Sequence, residues 1–200
     1  MPASTGRWWL TCDSQQVVIN ADPERIYDLI SDLPRMGEWS PECERVEWTG
    51  GSTTATVGAR FTGYNRGGPF RLMRWSRRGR VLAADPGREF AFVTEEGGRE
   101  STVWRYRFEP VPGATRVTES YQVRWIPAWA RIIDVPTNRH RELRQAMSHT
   151  LRRLQDAAET PARAPDQPGT AEDAVIAAAT GTGTGRTVRR PGSPEKESAR

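Results

Sequence analysis

The chain has 200 residues with 29 basic and 25 acidic side chains, which gives a formal net charge of +4 at neutral pH. Acidic and basic residues are interspersed, so the charge indicates an arginine-rich surface more than a concentrated basic field. The only lysine is Lys196, close to the C-terminus. This composition argues against Schiff-base and pyridoxal chemistry, because both need a lysine amine.

The N-terminal sequence MPASTGRWWLTCDS has no basic region followed by an apolar run. No stretch approaches the roughly 18 apolar residues of a membrane-spanning helix, so we expect no stable membrane insertion. Cys12 and Cys43 are far apart and lack the spacing of metal ligands, which fits a reducing compartment. The sequence therefore predicts a cytoplasmic protein.

Composition changes at residue 160. From Thr160 to Arg200 there is no Phe, Trp, Tyr, Leu or Cys, whereas Pro, Gly, Ala and Thr are abundant. Such a segment cannot bury enough apolar surface to offset the entropy lost on ordering. We predict one domain over residues 1–159 and a disordered tail over residues 160–200, whose role the sequence does not indicate.

The domain begins with a short strand, Gln15 to Asn20, and a helix. Asp22 is the predicted N-cap and Pro23 the first helical residue, since proline is favoured there. This helix ends before Pro34, and a second short helical turn is predicted from Arg35 to Trp39. The apolar face of the first helix comprises Ile26, Leu29 and Ile30.

Turn sequences rich in glycine and proline divide the next eighty or so residues into runs typical of an antiparallel meander. Alternation within three of these runs places most of the aromatic residues on one face of the predicted sheet. The turns are Gly50-Gly51, Gly67-Gly68-Pro69, Asp85-Pro86-Gly87, Gly97-Gly98 and Pro112-Gly113. The aromatic face includes Phe90, Phe92, Trp104, Tyr106, Phe108, Tyr121 and Trp125.

A long amphipathic helix is predicted from Asn138 to Glu159. Its apolar residues recur at steps of three and four, which places them on one stripe. Such a helix is marginal alone in water, so the stripe needs an apolar partner, and the sheet can supply it. The stripe comprises Leu143, Met147, Thr150, Leu151, Leu154 and Ala158.

Residues 15–158 resemble the START-like superfamily of helix-grip proteins, also called SRPBCC, and within it the polyketide cyclase/dehydrase and lipid-transport branch. The motifs that carry the resemblance are Asp22-Pro23, Leu29-Ile30-Ser31-Asp32-Leu33-Pro34, Gly37-Glu38-Trp39-Ser40-Pro41, Val57-Gly58 with Phe61 and Asn65-Arg66, Ala84-Asp85-Pro86-Gly87 with Phe90, Val117-Thr118-Glu119-Ser120, and Thr150-Leu151 with Leu154.

The resemblance implies an α+β helix-grip fold: a curved seven-stranded antiparallel sheet wrapped around the long C-terminal helix, with two short helices after the first strand. It also implies a cavity that binds a hydrophobic or aromatic small molecule such as a lipid, polyketide or quinone. The fold alone does not decide the activity. Two alternatives to simple binding stay open, a cyclase or dehydratase without metal or organic cofactor, and a protein interaction module with a filled core.

Glu119 is the candidate catalytic acid or base, because alternation places its carboxylate on the apolar sheet face. Burying an unpaired carboxylate is costly, so it must be neutral, paired or hydrogen-bonded to a ligand. Asn65 or Tyr64 would assist it, but only one of these neighbours can point inward. The structural alternatives for Glu119 are an ion pair with Arg105 or Arg66, or a strand-end position open to water.

Further residues are predicted to line the cavity, and His140 is expected near its opening at the start of the long helix. No metal site is predicted, because the two histidines of the chain lie on opposite helix faces. The oligomeric state is not indicated. The predicted ligand-binding residues are Phe61, Asn65, Trp75, Phe90, Phe92, Trp104, Tyr106, Phe108, Tyr121, Trp125, His140 and Met147.

Residues 60–80 contain arginines but no acid. We expect a solvated strand face whose arginines pair with acids of the next hairpin. An anion site at the hairpin edge is an alternative, and weak binding of RNA or a membrane surface is another, although few aromatic residues are available for base stacking. The arginines are Arg60, Arg66, Arg71, Arg74, Arg77, Arg78 and Arg80, and the predicted partners are Glu95, Glu96 and Glu100.

Overall fold

A seven-stranded antiparallel sheet is the main element of the computed structural model, which describes residues 12–68, 71–127 and 139–160. The strands are β1 (Cys12–Ile19), β2 (Cys43–Thr49), β3 (Arg60–Gly67), β4 (Met73–Asp85), β5 (Glu89–Glu96), β6 (Arg99–Val111) and β7 (Ala114–Val123). Their order in the sheet is β1-β7-β6-β5-β4-β3-β2. The predicted curved sheet is confirmed.

Strand β1 begins at Cys12 rather than at the predicted Gln15. Its pairing with β7 extends from Cys12 opposite Gln122 to Ile19 opposite Thr115, which keeps the earlier residues in the ladder. The remaining strands pair with their neighbours in sequence. Between β5 and β6 the connection is Gly97-Gly98, with φ of 57° and 76°. Two consecutive positive φ angles define a two-residue hairpin that glycine adopts without steric strain.

Two short helices follow β1, as predicted. Helix α1 (Pro23–Ser31) leads through a 3₁₀ turn (Leu33–Arg35) into α2 (Met36–Trp39). Asp22 occupies the N-cap position of α1, but its side chain makes no capping hydrogen bond. Ile26 and Ile30 are fully buried. The amphipathic pattern therefore predicted the buried face of α1, whereas the capping bond expected of Asp22 is absent.

The long helix α3 (Arg139–Glu159) packs against β1, α1 and α2. Its predicted first residue, Asn138, and residues 161–200 of the predicted tail lie outside the described residues. Replacing a fully buried leucine such as Leu154 by alanine typically costs about 2–5 kcal/mol, which indicates how much this contact contributes. Leu143, the first residue of the predicted stripe, is only half-buried, whereas the other members of the stripe are buried. The buried residues of α3 are Met147, Thr150, Leu151, Leu154 and Ala158.

Gly79 on β4 lies opposite Phe61 on β3, and the phenyl ring of Phe61 covers it. A Cβ atom at residue 79 would lie 2.3 Å from Cζ of Phe61, which is far inside van der Waals contact. The ring of Phe61 extends to an edge-on contact with Phe92, at a centroid distance of 5.5 Å. Glycine is therefore needed here for the close approach of a side chain.

We expect Gly79→Ala to destabilise the protein by about 1–3 kcal/mol, because its methyl group would displace the ring of Phe61. The matched control is Gly63→Ala on β3, where the added Cβ would have its nearest contact at 3.9 Å. This control should be neutral or slightly stabilising. Urea denaturation monitors both variants, and an equal loss of stability in the two would contradict the packing assigned to Phe61.

Candidate functional site

A cavity of about 280 Å³ lies between the sheet and helix α3. Both the aromatic sheet face and the stripe of α3 contribute to its wall. The predicted site residues that line it are Phe61, Asn65, Trp75, Phe92, Trp104, Tyr106, Glu119 and Met147. The structure thus brings together most of the side chains that the sequence singled out, while their roles toward a ligand remain predictions.

Phe90 and Phe108 do not line the cavity. Their rings contact Tyr27 of α1 edge-on, at centroid distances of 6.2 and 6.1 Å. Each shares a strand face with a lining residue, Phe92 on β5 and Tyr106 on β6. The difference is position along the strand, because α1 covers the end of the sheet where Phe90 and Phe108 lie and fills it with aromatic packing.

His140 and Tyr121 also lie outside the cavity lining, contrary to the prediction. Nδ1 of His140 lies 2.9 Å from the Tyr121 hydroxyl, and Nε2 lies 3.7 Å from a carboxylate oxygen of Asp13. The ring of Tyr121 packs on Trp104 at a centroid distance of 5.5 Å. Tyr121 is the cross-strand partner of Trp104 and therefore packs beside this lining residue. His140, in the first turn of α3, in turn contacts Tyr121 on β7 and Asp13 on β1.

Trp125, the remaining predicted lining residue, lies near the Gly97-Gly98 hairpin. The Arg99 guanidinium lies 5.3 Å from the centroid of its ring, a cation–π contact. Trp125 follows the end of β7, and its backbone N–H donates to Ser101 O at 3.1 Å. Strand alternation does not extend past the last ladder residue, so it could not predict this orientation.

Asn65, rather than Tyr64, points toward the cavity. The Tyr64 hydroxyl donates to Glu47 on the other face of the sheet, at 3.0 Å. Nδ2 of Asn65 lies 3.4 Å from the carbonyl oxygen of Gly63, so its amide keeps hydrogen-bonding capacity for another partner. This agrees with the parity of Phe61 and Asn65 on β3.

Glu119 is buried, with 3% of its surface exposed, and the Tyr106 hydroxyl donates to its Oε1 at 2.8 Å. The two residues are direct partners in the β6–β7 ladder. Oε2 is shielded from solvent and has no hydrogen-bond partner among the described residues. Tyr106 and Glu119 thus lie at the inner end of the cavity, next to the core filled by Phe108.

Glu119 does not form an ion pair with Arg105 or Arg66, so this alternative, which the sequence left open, is wrong. Arg105 pairs with Glu89, and Arg66 lies 3.6 Å from Glu44. Burial raises the pKa of Glu119 from 4.5 to about 8, although the hydrogen bond from Tyr106 acts in the opposite direction. The Glu119 carboxyl group is therefore mainly neutral at pH 7.

Charged residues that the sequence did not assign to the cavity form the more exposed part of its wall. Arg77 on β4 pairs with Glu96 on β5 at 3.0 Å. Nη2 of Arg139, at the start of α3, donates to Glu42 at 2.7 Å. Arg77 shares its parity on β4 with Trp75, and Glu96 shares its parity on β5 with Phe92, so strand alternation could have placed this expected surface pair in the cavity wall. No local pattern connects Glu42 with Arg139.

The expected pairing of the arginine-rich strands is present. The salt bridges Arg60–Glu95, Arg77–Glu96 and Arg80–Glu100 have N–O distances of 3.9, 3.0 and 2.7 Å. Much of the positive charge is thereby balanced within the sheet.

The sheet, the long helix and the cavity between them define a helix-grip protein. The model of the family described as polyketide cyclase / dehydrase and lipid transport matches residues 13–159. The chain belongs to this family, as its motifs indicated. None of its described helices is both long enough and apolar enough to span a bilayer.

Solved structures share the fold, and one of them is similar enough to bear on the family as well. A polyketide-cyclase-like protein from Corynebacterium glutamicum is 30% identical, with a TM-score of 0.50 over 74% of this chain and 91% of its own. A protein from Deinococcus radiodurans is 22% identical, with a TM-score of 0.53 and coverages of 74% and 98%.

The di-domain ARO/CYC protein of the steffimycin biosynthetic pathway is 13% identical, with a TM-score of 0.60 over 74% of this chain and 50% of its own. At this identity the likeness concerns the fold alone. No curated protein matches the sequence.

The raised pKa of Glu119 predicts a pH-dependent stability. Because the folded state holds a proton that the unfolded chain releases near pH 4.5, stabilisation by neutral Glu119 is complete below that pH and is lost as the pH rises to about 8. Relative to Glu119→Gln, the wild type should lose about 1.4 kcal/mol of unfolding free energy per pH unit across this window.

Urea denaturation of both proteins at several pH values between about 5 and about 8 measures this difference. The control is Glu109→Gln, which removes an exposed carboxylate that pairs with Arg116 at 3.3 Å and should shift stability by less than about 1 kcal/mol. A difference between wild type and Glu119→Gln that stays constant with pH would show that Glu119 titrates normally.

Proposed function

We propose that the protein binds a hydrophobic or aromatic small molecule in the cavity between the sheet and α3. The observation that carries this proposal is a cavity whose wall combines aromatic side chains with a few polar groups. Its volume of about 280 Å³ is close to the lower end of small-molecule sites, about 300–1,000 Å³. The match to the family supports the same class of ligand.

The cavity also bears on the interaction-module alternative. That alternative requires aromatic residues to fill the space under α3, as Tyr27, Phe90 and Phe108 do at the other end of the sheet. Open space beside Trp104 and Met147 favours a ligand instead. A cytoplasmic location and a disordered tail, both inferred from the sequence, remain part of the proposal.

Binding can be tested with native mass spectrometry of the full chain, to detect a co-purified small molecule, and with titration of a neutral fluorescent probe, N-phenyl-1-naphthylamine. Trp104→Ala should weaken probe binding about tenfold, because it removes an aromatic wall of the cavity. Trp125→Ala is the matched control, since it removes a tryptophan outside the lining, and it should leave the affinity unchanged.

Circular dichroism melting should first establish that both tryptophan variants are folded. Equal affinities of Trp104→Ala and wild type would contradict the assigned lining. A wild-type protein with neither co-purified ligand nor probe binding would favour the interaction module.

A cyclase or dehydratase is the second candidate function, and Glu119 is the observation that favours it. A carboxyl group with a pKa of about 8 can donate or accept a proton near neutral pH, as general acid–base catalysis requires. In a dehydration, proton removal beside a ketone would be followed by loss of the β-hydroxyl group as water. Asn65 and Tyr106 supply further polar groups in the same wall.

A β-hydroxy aryl ketone tests this candidate, because its dehydration to an enone can be followed by absorbance. Glu119→Gln should lower turnover at least about a hundredfold and retain affinity for the substrate. Tyr64→Phe, on the opposite sheet face, is the control and should leave turnover intact. Enzymatic turnover that survives in Glu119→Gln would eliminate Glu119 as the catalyst.

A further inference from the structure

Oε2 of Glu119 is a buried polar atom for which the described part of the protein offers no partner. Buried side-chain oxygens are almost always hydrogen-bonded, so such an atom needs an explanation. Glu119 belongs to the cavity wall, and its ladder partner Tyr106 lies in the same wall. A ligand in the cavity is therefore the natural source of the missing partner.

The position of the hydrogens determines which kind of partner fits. The Tyr106 hydroxyl uses its only proton in the bond to Oε1 at 2.8 Å. Burial, together with the neighbouring Glu119, raises the pKa of Tyr106 well above 10, so this proton stays in place. In a neutral Glu119, Oε1 is then the acceptor, and the carboxyl proton resides on Oε2. Glu119 consequently presents an O–H donor.

Among the residues that the structure describes, the elements around Glu119 supply no free cation that would favour its ionised form. Glu119 has two ladder partners, Tyr106 on β6 and the neutral Gln15 on β1. Helix α3 contributes the neutral Thr150 to the same cavity. Burial raises the pKa of the lining thiol Cys43 to about 11. The charged groups nearby are engaged with one another: Arg77 with Glu96, Arg139 with Glu42, and Asp13 with Arg144 and His140.

We propose that Oε2–H of Glu119 donates a hydrogen bond to a carbonyl oxygen of the ligand, so that the cavity selects an aromatic ketone or quinone over a hydrocarbon of the same shape. This inference rests on the proposed binding function and adds the chemistry of recognition. An anionic ligand group at this position would find no free counter-ion in the described part of the wall, because Arg77 and Arg139 are paired there. A ligand that only donates hydrogen bonds would meet the proton on Oε2.

The probes are 9-fluorenone and fluorene, which share a rigid tricyclic shape and differ by one carbonyl oxygen. The full chain should bind fluorenone about fivefold to tenfold more tightly than fluorene at about pH 6, because one buried hydrogen bond contributes a difference of this size. At about pH 9.5 Glu119 is ionised, and its oxygen repels the carbonyl oxygen, so the preference should disappear. Isothermal titration calorimetry measures both affinities.

Two variants separate hydrogen bonding from charge. Glu119→Gln keeps the shape and provides an N–H donor that does not titrate, so it should retain the preference for fluorenone at both pH values. Glu119→Leu removes the donor and should bind the two compounds equally. Glu109→Gln, on the exposed surface, is the control and should behave as wild type.

If Glu119→Leu does not fold, the ¹³C shift of labelled fluorenone carbonyl provides a second measurement. When the compound is bound to wild type at about pH 6, this signal should lie downfield of its value in apolar solvent, and at about pH 9.5 it should return toward that value.

The outcomes distinguish this inference from the function on which it rests. Equal binding of both compounds by wild type at about pH 6 overturns the carbonyl inference but leaves hydrophobic binding intact. A preference for fluorenone that persists in Glu119→Leu also overturns it, since another group would then be the donor. Failure to bind either compound counts against the proposed function and the inference together.

Discussion

The contact between the apolar stripe of α3 and the sheet is the interaction on which the structure depends. Neither partner is stable alone: the helix would be marginal in water, and one face of the sheet would expose its aromatic residues. The contact is complete where α1 adds Tyr27 against Phe90 and Phe108. Farther along the same strands it is incomplete, and a cavity remains. The fold thus creates a packed end and an open end from one continuous aromatic face.

Glu119 lies where these two ends meet, and its position explains its properties. The packed core removes Glu119 from water, and the Tyr106 hydroxyl donates a hydrogen bond to its Oε1. Oε2 has no partner among the described residues, and Glu119 lies in the wall of the cavity. Loss of the packed core would let water reach the carboxyl group and would lower its pKa toward the ordinary 4.5. The Asp13–His140–Tyr121 contacts have a different role, because they support the cavity wall through Trp104.

Local patterns predicted the face on which each strand residue lies, and for this reason the sheet, the stripe of α3 and the burial of Glu119 could be predicted from the sequence. Local patterns could not predict which positions along a strand are covered by another element and which positions face the cavity. Phe90 and Phe92 have the same parity, yet only Phe92 lines the cavity, because α1 covers Phe90. The partner of Glu119 was also missed, since it depends on the register between β6 and β7. Glu42 and Arg139, 97 residues apart, share no local signal.

The chemistry inferred for the cavity depends on the carboxyl group of Glu119 being held neutral at the inner end of the cavity. The most direct measurement is a ¹³C NMR titration of the glutamate carboxyl carbons in the intact protein, with the signal of Glu119 assigned by its loss in Glu119→Gln. We expect a titration midpoint of about 8 for this signal. A midpoint near the ordinary 4.5 would contradict it, because Glu119 would then be ionised and solvated at neutral pH.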